Sequence, residues 1–253
     1  MDNRSDIGVR KQIKMRVLRK FREGVKEFGL VAPGDAILIG LSGGKDSLAL
    51  VDLLGDMLRR SNHGFRVEAV HVRMSNIDYR SDVDYLVERC RQNGICFHLR
   101  EASFEQDRKA KRTPCFLCSW NRRKILFETA QELGCNKIAL GHHQDDILHT
   151  ALMNLTFEGG FSTMPCLLKM KKMPITIIRP LCKVNEADLR QWAVLYDYQP
   201  VDKVCPFDKV SKRAEIARVF ETLQHVNPEF RANLWHALLS EGKLVQADES
   251  VLR

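Results

Sequence analysis

The 253-residue chain has no apolar run approaching the length that a bilayer span needs. Its first residues, Met1-Asp2-Asn3-Arg4, do not read as a signal peptide. Membrane association is therefore not expected, and a cytoplasmic location is. No internal repeat or low-complexity tract stands out. A Walker A loop is also missing: Ile39 stands where that motif has its first Gly, and Asp46 where it has Ser or Thr. No second Cys-x-x-Cys and no His pair accompanies Cys115 and Cys118, which leaves a four-ligand structural zinc site incomplete. What remains is a chain with 44% hydrophobic residues. That is enough for a core, in a length that suits one large α/β domain with terminal additions.

The most informative stretch is Ser42-Gly43-Gly44-Lys45-Asp46-Ser47, directly behind the apolar run Ala36 to Leu41. The run reads as a buried parallel strand, entered through Pro33-Gly34-Asp35. Leu48 to Leu54 has helical spacing. The glycines therefore occupy a strand-to-helix turn, where open backbone N–H groups and the helix dipole favour an anion. Two glycines let the chain approach that anion closely, and Ser42, Lys45 and Ser47 add hydroxyls and a cation.

Lys and Arg number 40 against 32 Asp and Glu, a formal charge of +8. The excess favours a polyanionic partner. Part of it lies in Arg10 to Arg22, which holds seven cations and no acid. Ile13, Val17, Phe21, Val25 and Phe28 recur at near-helical spacing, so residues 1–29 read as a basic amphipathic helix. A second basic cluster, Arg108 to Arg112, precedes the first cysteine pair.

Further along, strands are predicted at 65–72, 96–99, 137–141 and 175–178. Helices are predicted at 82–93, 120–133 with Ser119 as N-cap, and 145–157. Residues 113–118 read as a loop. The alternation implies a doubly wound parallel sheet over 30–185, with ligands beyond the carboxyl ends of the strands. Past Asn185 the pattern turns helical, at 186–197, 209–224 and 228–240. This gives a helical C-terminal extension, 186–253, that carries Cys205 and ends in a polar, frayed tail from Gln246.

Gly141-His142-His143-Gln144-Asp145-Asp146 also follows a strand and opens a helix. Asp145 or Asp146 suits Mg²⁺ beside a bound anion, and His142 suits a contact to that anion. Eight cysteines in a cytoplasmic-looking chain point away from disulfides. Cys90, Cys96, Cys135, Cys166 and Cys182 are scattered and read as small apolar residues. Cys115, Cys118 and Cys205 suit an iron–sulfur cluster with one iron open; zinc binding and thiol chemistry remain alternatives.

The hexapeptide Ser42 to Ser47 resembles the pyrophosphate-binding loop of the PP-loop ATPases, the N-type ATP pyrophosphatases. The resemblance implies ATP cleavage between the α- and β-phosphates, adenylation of a substrate oxygen, and a doubly wound α/β fold. A narrower likeness rests on Cys115 to Ser119, Arg122-Arg123, Ile125-Leu126, Lys137 to Leu148, Gly159-Gly160, Met164-Pro165 and Ile178 to Leu181. Together, from about residue 12 to 235, these resemble the tRNA 2-thiocytidine synthetases (TtcA-like). That family implies a 4Fe-4S cluster on Cys115, Cys118 and Cys205. Two departures are visible: Asp208 stands where family members carry a second cysteine in the later loop, and the stretch from Met164 to Ile175 is short.

The expected reaction uses ATP on Ser42, Gly43, Gly44, Lys45, Asp46 and Ser47. Lys45, Asp46, His142 and Asp145 are the catalytic candidates, with Mg²⁺ on Asp145. Gly141 and Asp146 border the nucleotide, the adenine rests near Val70, His71 and Val72, and Arg179 contacts a phosphate. A cytidine, at position 32 of the tRNA anticodon loop by family resemblance, is adenylated at its C2 oxygen and takes sulfur there. The basic helix and Lys109, Lys111 and Arg112 hold the RNA backbone. A cysteine desulfurase is the sulfur donor that the resemblance implies. The sequence is silent on oligomeric state, and a homodimer is compatible with it. The rival readings are a thiolase acting on a tRNA uridine and a zinc-stabilised nucleotide- or RNA-binding module without turnover.

Overall fold

The computed structural model describes residues 3–61, 64–75, 82–103, 114–199 and 212–248. In chain order the elements are α1 (Asn3–Glu27), β1 (Ala36–Gly40), α2 (Lys45–Arg60), β2 (Arg66–Met74), α3 (Val83–Gln92) and β3 (Cys96–Ala102). Then come α4 (Pro114–Glu132), β4 (Lys137–Ala139), α5 (Gln144–Met153), a π-helical turn (Asn154–Glu158), β5 (Leu167–Met170) and β6 (Thr176–Ile178). The last are α6 (Glu186–Leu195), α7 (Lys212–Val226), α8 (Phe230–Ser240) and β7 (Val245–Asp248). The chain divides into two compact units.

One unit is Val31–Gly141 with Arg190–Asp208. Its strands run in the order β3-β2-β1-β4, all parallel, with Ile39 opposite both Ala69 and Ala139. Ile37, Leu38 and Ile39 are fully buried, as a strand covered on both faces requires. The order reverses after β3. Right-handed crossovers therefore place α2 and α3 on one face and α4 on the other, with a switch point between β1 and β4. The doubly wound reading holds here.

A buried polar network pins α2 to α3 in this unit. Asp52 accepts from Arg89 at 2.5 Å, Asn93 at 3.0 Å and the Tyr198 hydroxyl at 2.5 Å. Trp192 Nε1 donates to the same hydroxyl oxygen at 3.0 Å, and Arg89 lies over the Tyr198 ring. Burial, reinforced by Asp52, raises the Tyr198 hydroxyl well above its ordinary pKa, so it stays a donor. Tyr198→Phe orphans the Trp192 N–H and takes one donor from Asp52. It is expected to cost about 1–3 kcal/mol in denaturant unfolding.

The loop expected over 113–118 is helical from Pro114 on. Helix α4 begins at Pro114, so Cys115 to Cys118 lie in its first turns. Proline suits a first helical position, because its missing N–H would have no intrahelical partner there. Ser119, expected as the N-cap, sits inside the helix and donates to the Phe116 carbonyl at 3.0 Å.

The other unit is Met1–Leu30, His142–Leu189 and Lys209–Arg253. Helix α1 buries Val17, Phe21 and Val25, and Phe28 just past its end is buried too, the stripe its spacing predicts. Its Arg16 and Lys20 reach the buried Asp188 at 2.7 and 2.8 Å. Lys11, Lys14, Arg19, Arg22 and Lys26 remain exposed. Strand β5 pairs antiparallel with β6 and parallel with β7. The antiparallel pair departs from the expected all-parallel sheet; its short connection leaves no room for a crossover helix. Of the tail expected to fray from Gln246, residues 246–248 are instead part of β7, with Gln246 opposite Leu168, and the rest lies outside the described residues. The order of β7 comes from the open edge of β5 rather than from apolar residues of its own. No helix among the described residues is long and apolar enough to cross a membrane.

Candidate nucleotide site

The loop Ser42 to Ser47 leaves the carboxyl end of β1 and runs into α2. Gly43 has φ +83°, a left-handed conformation that a side chain would strain. Gly44 holds the N-cap position and has no side chain to cap the helix, so the N–H groups of the first turn face outward for a ligand. Ser47 is buried and donates to the Gly44 carbonyl at 2.9 Å, with the Ser42 hydroxyl 3.2 Å away. Lys45 Nζ lies 3.0 and 3.1 Å from the two Asp46 carboxylate oxygens.

Gly141, two residues past β4, packs against the same loop. A Cβ added there would lie 3.1 Å from the Asp46 carbonyl carbon and the Ser47 nitrogen. Only glycine lets the backbone at 141 come this close to the loop. His71 is buried, and its Nδ1 lies 2.8 Å from the Leu41 carbonyl, one residue ahead of the loop. Burial lowers its pKa and the ring stays neutral, so Nδ1–H donates and fixes the loop's point of departure. Val70 is also buried, whereas Val72 keeps an accessible edge. These features fit a nucleotide polyphosphate: glycine-backed N–H groups, hydroxyls and a cation at a helix start.

The second group of predicted residues, His142 to Asp146 with Arg179, is held in the other unit. Arg179 is buried; its Nε donates to His142 Nδ1 at 3.3 Å, and its Nη1 donates to the Pro165 carbonyl. Burial, with the Arg179 charge, pushes the His142 pKa down to about 4. The ring is therefore neutral near pH 7. Because Nδ1 accepts from Arg179, Nε2 carries the hydrogen, and His142 is a hydrogen-bond donor.

Asp145 is placed differently from a metal ligand with open oxygens. Its Oδ1 accepts from Arg231 at 2.6 Å and its Oδ2 from the Glu186 N–H at 2.7 Å. Burial alone would raise its pKa, but Arg231 and the Glu186 N–H hold it below the ordinary value. Asp146 accepts from the His143 N–H at 3.1 Å, at the start of α5, and faces Arg213 at 3.6 Å. Mg²⁺ on Asp145 thus does not fit the residues as they stand. Arg231 and Arg213 were not legible in the sequence, because both lie in helices far along the chain that spacing located without naming a partner.

Arg231 also lines a cavity of about 570 Å³ with Arg19, Lys20, Lys183, Trp235 and His236. This cavity carries the basic face of α1 inward, four cations beside an indole.

Backbone positions 115 and 118 lie one turn apart at the N-terminal end of α4, where the helix dipole favours thiolates or an anionic cluster. Cys118 is partly buried. Cys205, Asp208 and the basic cluster Arg108 to Arg112 lie outside the described residues. Cys90, Cys135, Cys166 and Cys182 are buried, as expected of small apolar residues, but Cys96 is exposed.

A parallel sheet with a glycine-lysine phosphate loop at its switch point defines a class of ATP-binding proteins. The family model described as a PP-loop domain matches residues 13–203. The chain belongs to that family and, within it, to the family of curated tRNA-cytidine(32) 2-sulfurtransferases. The relative from Anaeromyxobacter dehalogenans is 31% identical over 233 residues, covering 90% of this chain and 79% of that protein. The one from Burkholderia lata is 33% identical over 228 residues, covering 88% and 68%. A solved U34-tRNA thiolase from Methanococcus maripaludis, with its 4Fe-4S cluster, shares the fold. It has a TM-score of 0.76 at 23% identity and covers 96% of this chain and 84% of that one.

Proposed function

We propose that this protein is an ATP-dependent tRNA sulfurtransferase that converts a cytidine, the one at position 32, to 2-thiocytidine. The observation that supports it most is kinship with tRNA-cytidine(32) 2-sulfurtransferases across 90% of the chain, with the phosphate loop intact.

In this reading the β- and γ-phosphates of ATP lie on Ser42 to Ser47, against the first turn of α2. The C2 oxygen of an unstacked cytidine attacks the α-phosphorus, the bond to pyrophosphate breaks, and the base carries AMP on that oxygen. Lys45 neutralises charge gathering on the departing pyrophosphate. His142, neutral and with its hydrogen on Nε2, is a further hydrogen-bond donor for the reaction. A sulfur nucleophile then adds to C2, and AMP leaves with the former carbonyl oxygen. Cys115, Cys118 and Cys205 would hold a 4Fe-4S cluster, which offers an open iron for the incoming sulfur. A cysteine desulfurase supplies that sulfur. The exposed cations of α1 hold the RNA backbone, a contact that weakens with salt. No step is assigned to Mg²⁺ on Asp145, since both carboxylate oxygens are engaged.

Mass spectrometry of tRNA nucleosides from a strain lacking the gene tests this. Loss of 2-thiocytidine, restored by the gene, is expected. Loss of a thiolated uridine instead would reassign the base, and an unchanged nucleoside profile would overturn thiolation altogether.

A further inference from the structure

Cys96, His98 and Glu68 form a group that the proposed reaction does not use. Glu68 on β2 and Cys96 on β3 are directly opposite in the parallel register, and His98 follows two residues on, on the same face. One sulfur, one ring nitrogen and one carboxylate oxygen from these three all lie within 4.8 Å of one another. Among the described residues this is the one such set of three.

The parts of the group are already oriented. Arg66 donates to Glu68 Oε1 and to the Leu133 carbonyl, which fixes the carboxylate and leaves Oε2 turned to His98 Nε2 at 2.6 Å. Glu68 and His98 are partly buried, with side chains 14% and 20% exposed, so their orientation is constrained by packing. Cys96 is exposed, which gives an ion a way in. Strand β3 is the edge of the parallel run in this unit, paired with a strand on one side only.

We infer that Glu68, Cys96 and His98 form a binding site for a thiophilic divalent cation of the zinc class. The donor set is one thiolate, one imidazole and one carboxylate. Zinc prefers this mixture, with bonds of about 2.3 Å to sulfur and about 2.0–2.2 Å to nitrogen and oxygen. Hard cations such as Mg²⁺ or Ca²⁺ prefer all-oxygen shells and are not expected here. Loading requires the Cys96 thiol to lose its proton and the His98–Glu68 hydrogen bond to open onto the ion. The fourth position is left to water. The ion ties the first residue of β3 to β2, near the amino ends of both strands, whereas the phosphate loop leaves the carboxyl end of β1. Its loss would therefore loosen an edge strand rather than disturb the nucleotide loop.

Zinc and iron content decide it. The wild type and Cys96→Ser, purified with iron retained, are equilibrated with Zn²⁺, desalted and analysed for both metals. One more zinc per chain in the wild type than in the variant, at equal iron, is expected. Equal zinc in both proteins would overturn the assignment. His98→Gln guards against a folding defect in the serine variant, since it should show the same missing zinc. Substituting Co²⁺ gives an independent reading. A thiolate-to-cobalt charge-transfer band that appears in the wild type and is lost in Cys96→Ser supports the site, and a band unchanged in the variant counts against it.

Discussion

Lys45→Ala is expected to lower AMP formation by about 10²–10³-fold, the range found when one preorganised charge-stabilising donor is removed. Iron content and the far-ultraviolet spectrum should not change, because Lys45 is a half-buried residue of the first turn of α2 rather than part of the core. Thiolation retained at the wild-type rate would refute the phosphate assignment. Gly141→Val asks the same question through packing. A Cβ at that position already lies 3.1 Å from backbone atoms of Asp46 and Ser47, and backbone cannot swing away as a long side chain can. The branched side chain must push the loop aside, so ATP affinity should fall while the sheet stays folded. Gly141→Ala should fall between the two. Normal ATP binding in Gly141→Val would mean that the loop tolerates a shift the nucleotide does not sense.

The parts of this molecule that could be read from the sequence are those where local pattern and local chemistry coincide. The β1 run and the glycine loop announce themselves because a doubly covered strand has to be apolar and a phosphate turn has to be free of side chains. The stripe from Val17 to Phe28, along and just past α1, was legible for the same reason: its period matches its buried face. What failed was long-range. β7 contains two polar residues in four and owes its order to the edge of β5. The start of α4 was masked by Pro114, which reads as a break but serves as a first helical residue. Arg231 and Asp145 are 86 positions apart, and nothing in either neighbourhood predicts their 2.6 Å contact. Cys96 looked like one scattered cysteine among several, and only the register of β3 on β2 brings it opposite Glu68.

Arg231→Ala carries the second large effect. It leaves the buried Asp145 carboxylate with the Glu186 N–H and His143, 3.6 Å away, but without its guanidinium partner, and removes the guanidinium from the Phe220 ring 5.1 Å away. Breaking a buried pair from one side costs about 3–5 kcal/mol, measurable by denaturant unfolding at pH 7. The pH dependence separates this cause from general damage. In the wild type the Asp145 pKa is held below its ordinary 3.8, so its contribution is complete above that value and disappears as pH falls below it. In the variant burial is opposed only by the Glu186 N–H and by His143, so the folded pKa rises from its wild-type position and acid relieves part of the penalty. The stability gap between the two proteins should therefore be widest near neutrality and shrink as the carboxyl is protonated. His142, neutral in the fold with a pKa near 4, destabilises both proteins as pH drops from 6.5 toward 4 and cancels in the difference. Asp145→Asn completes the comparison, since an amide oxygen can still accept from the Glu186 N–H. If Asp145 pins the start of α5 as its contacts indicate, that variant loses stability and keeps its affinity for Mg²⁺-ATP. Intact stability with a large loss of Mg²⁺-ATP binding would restore the carboxylate to the role of metal ligand.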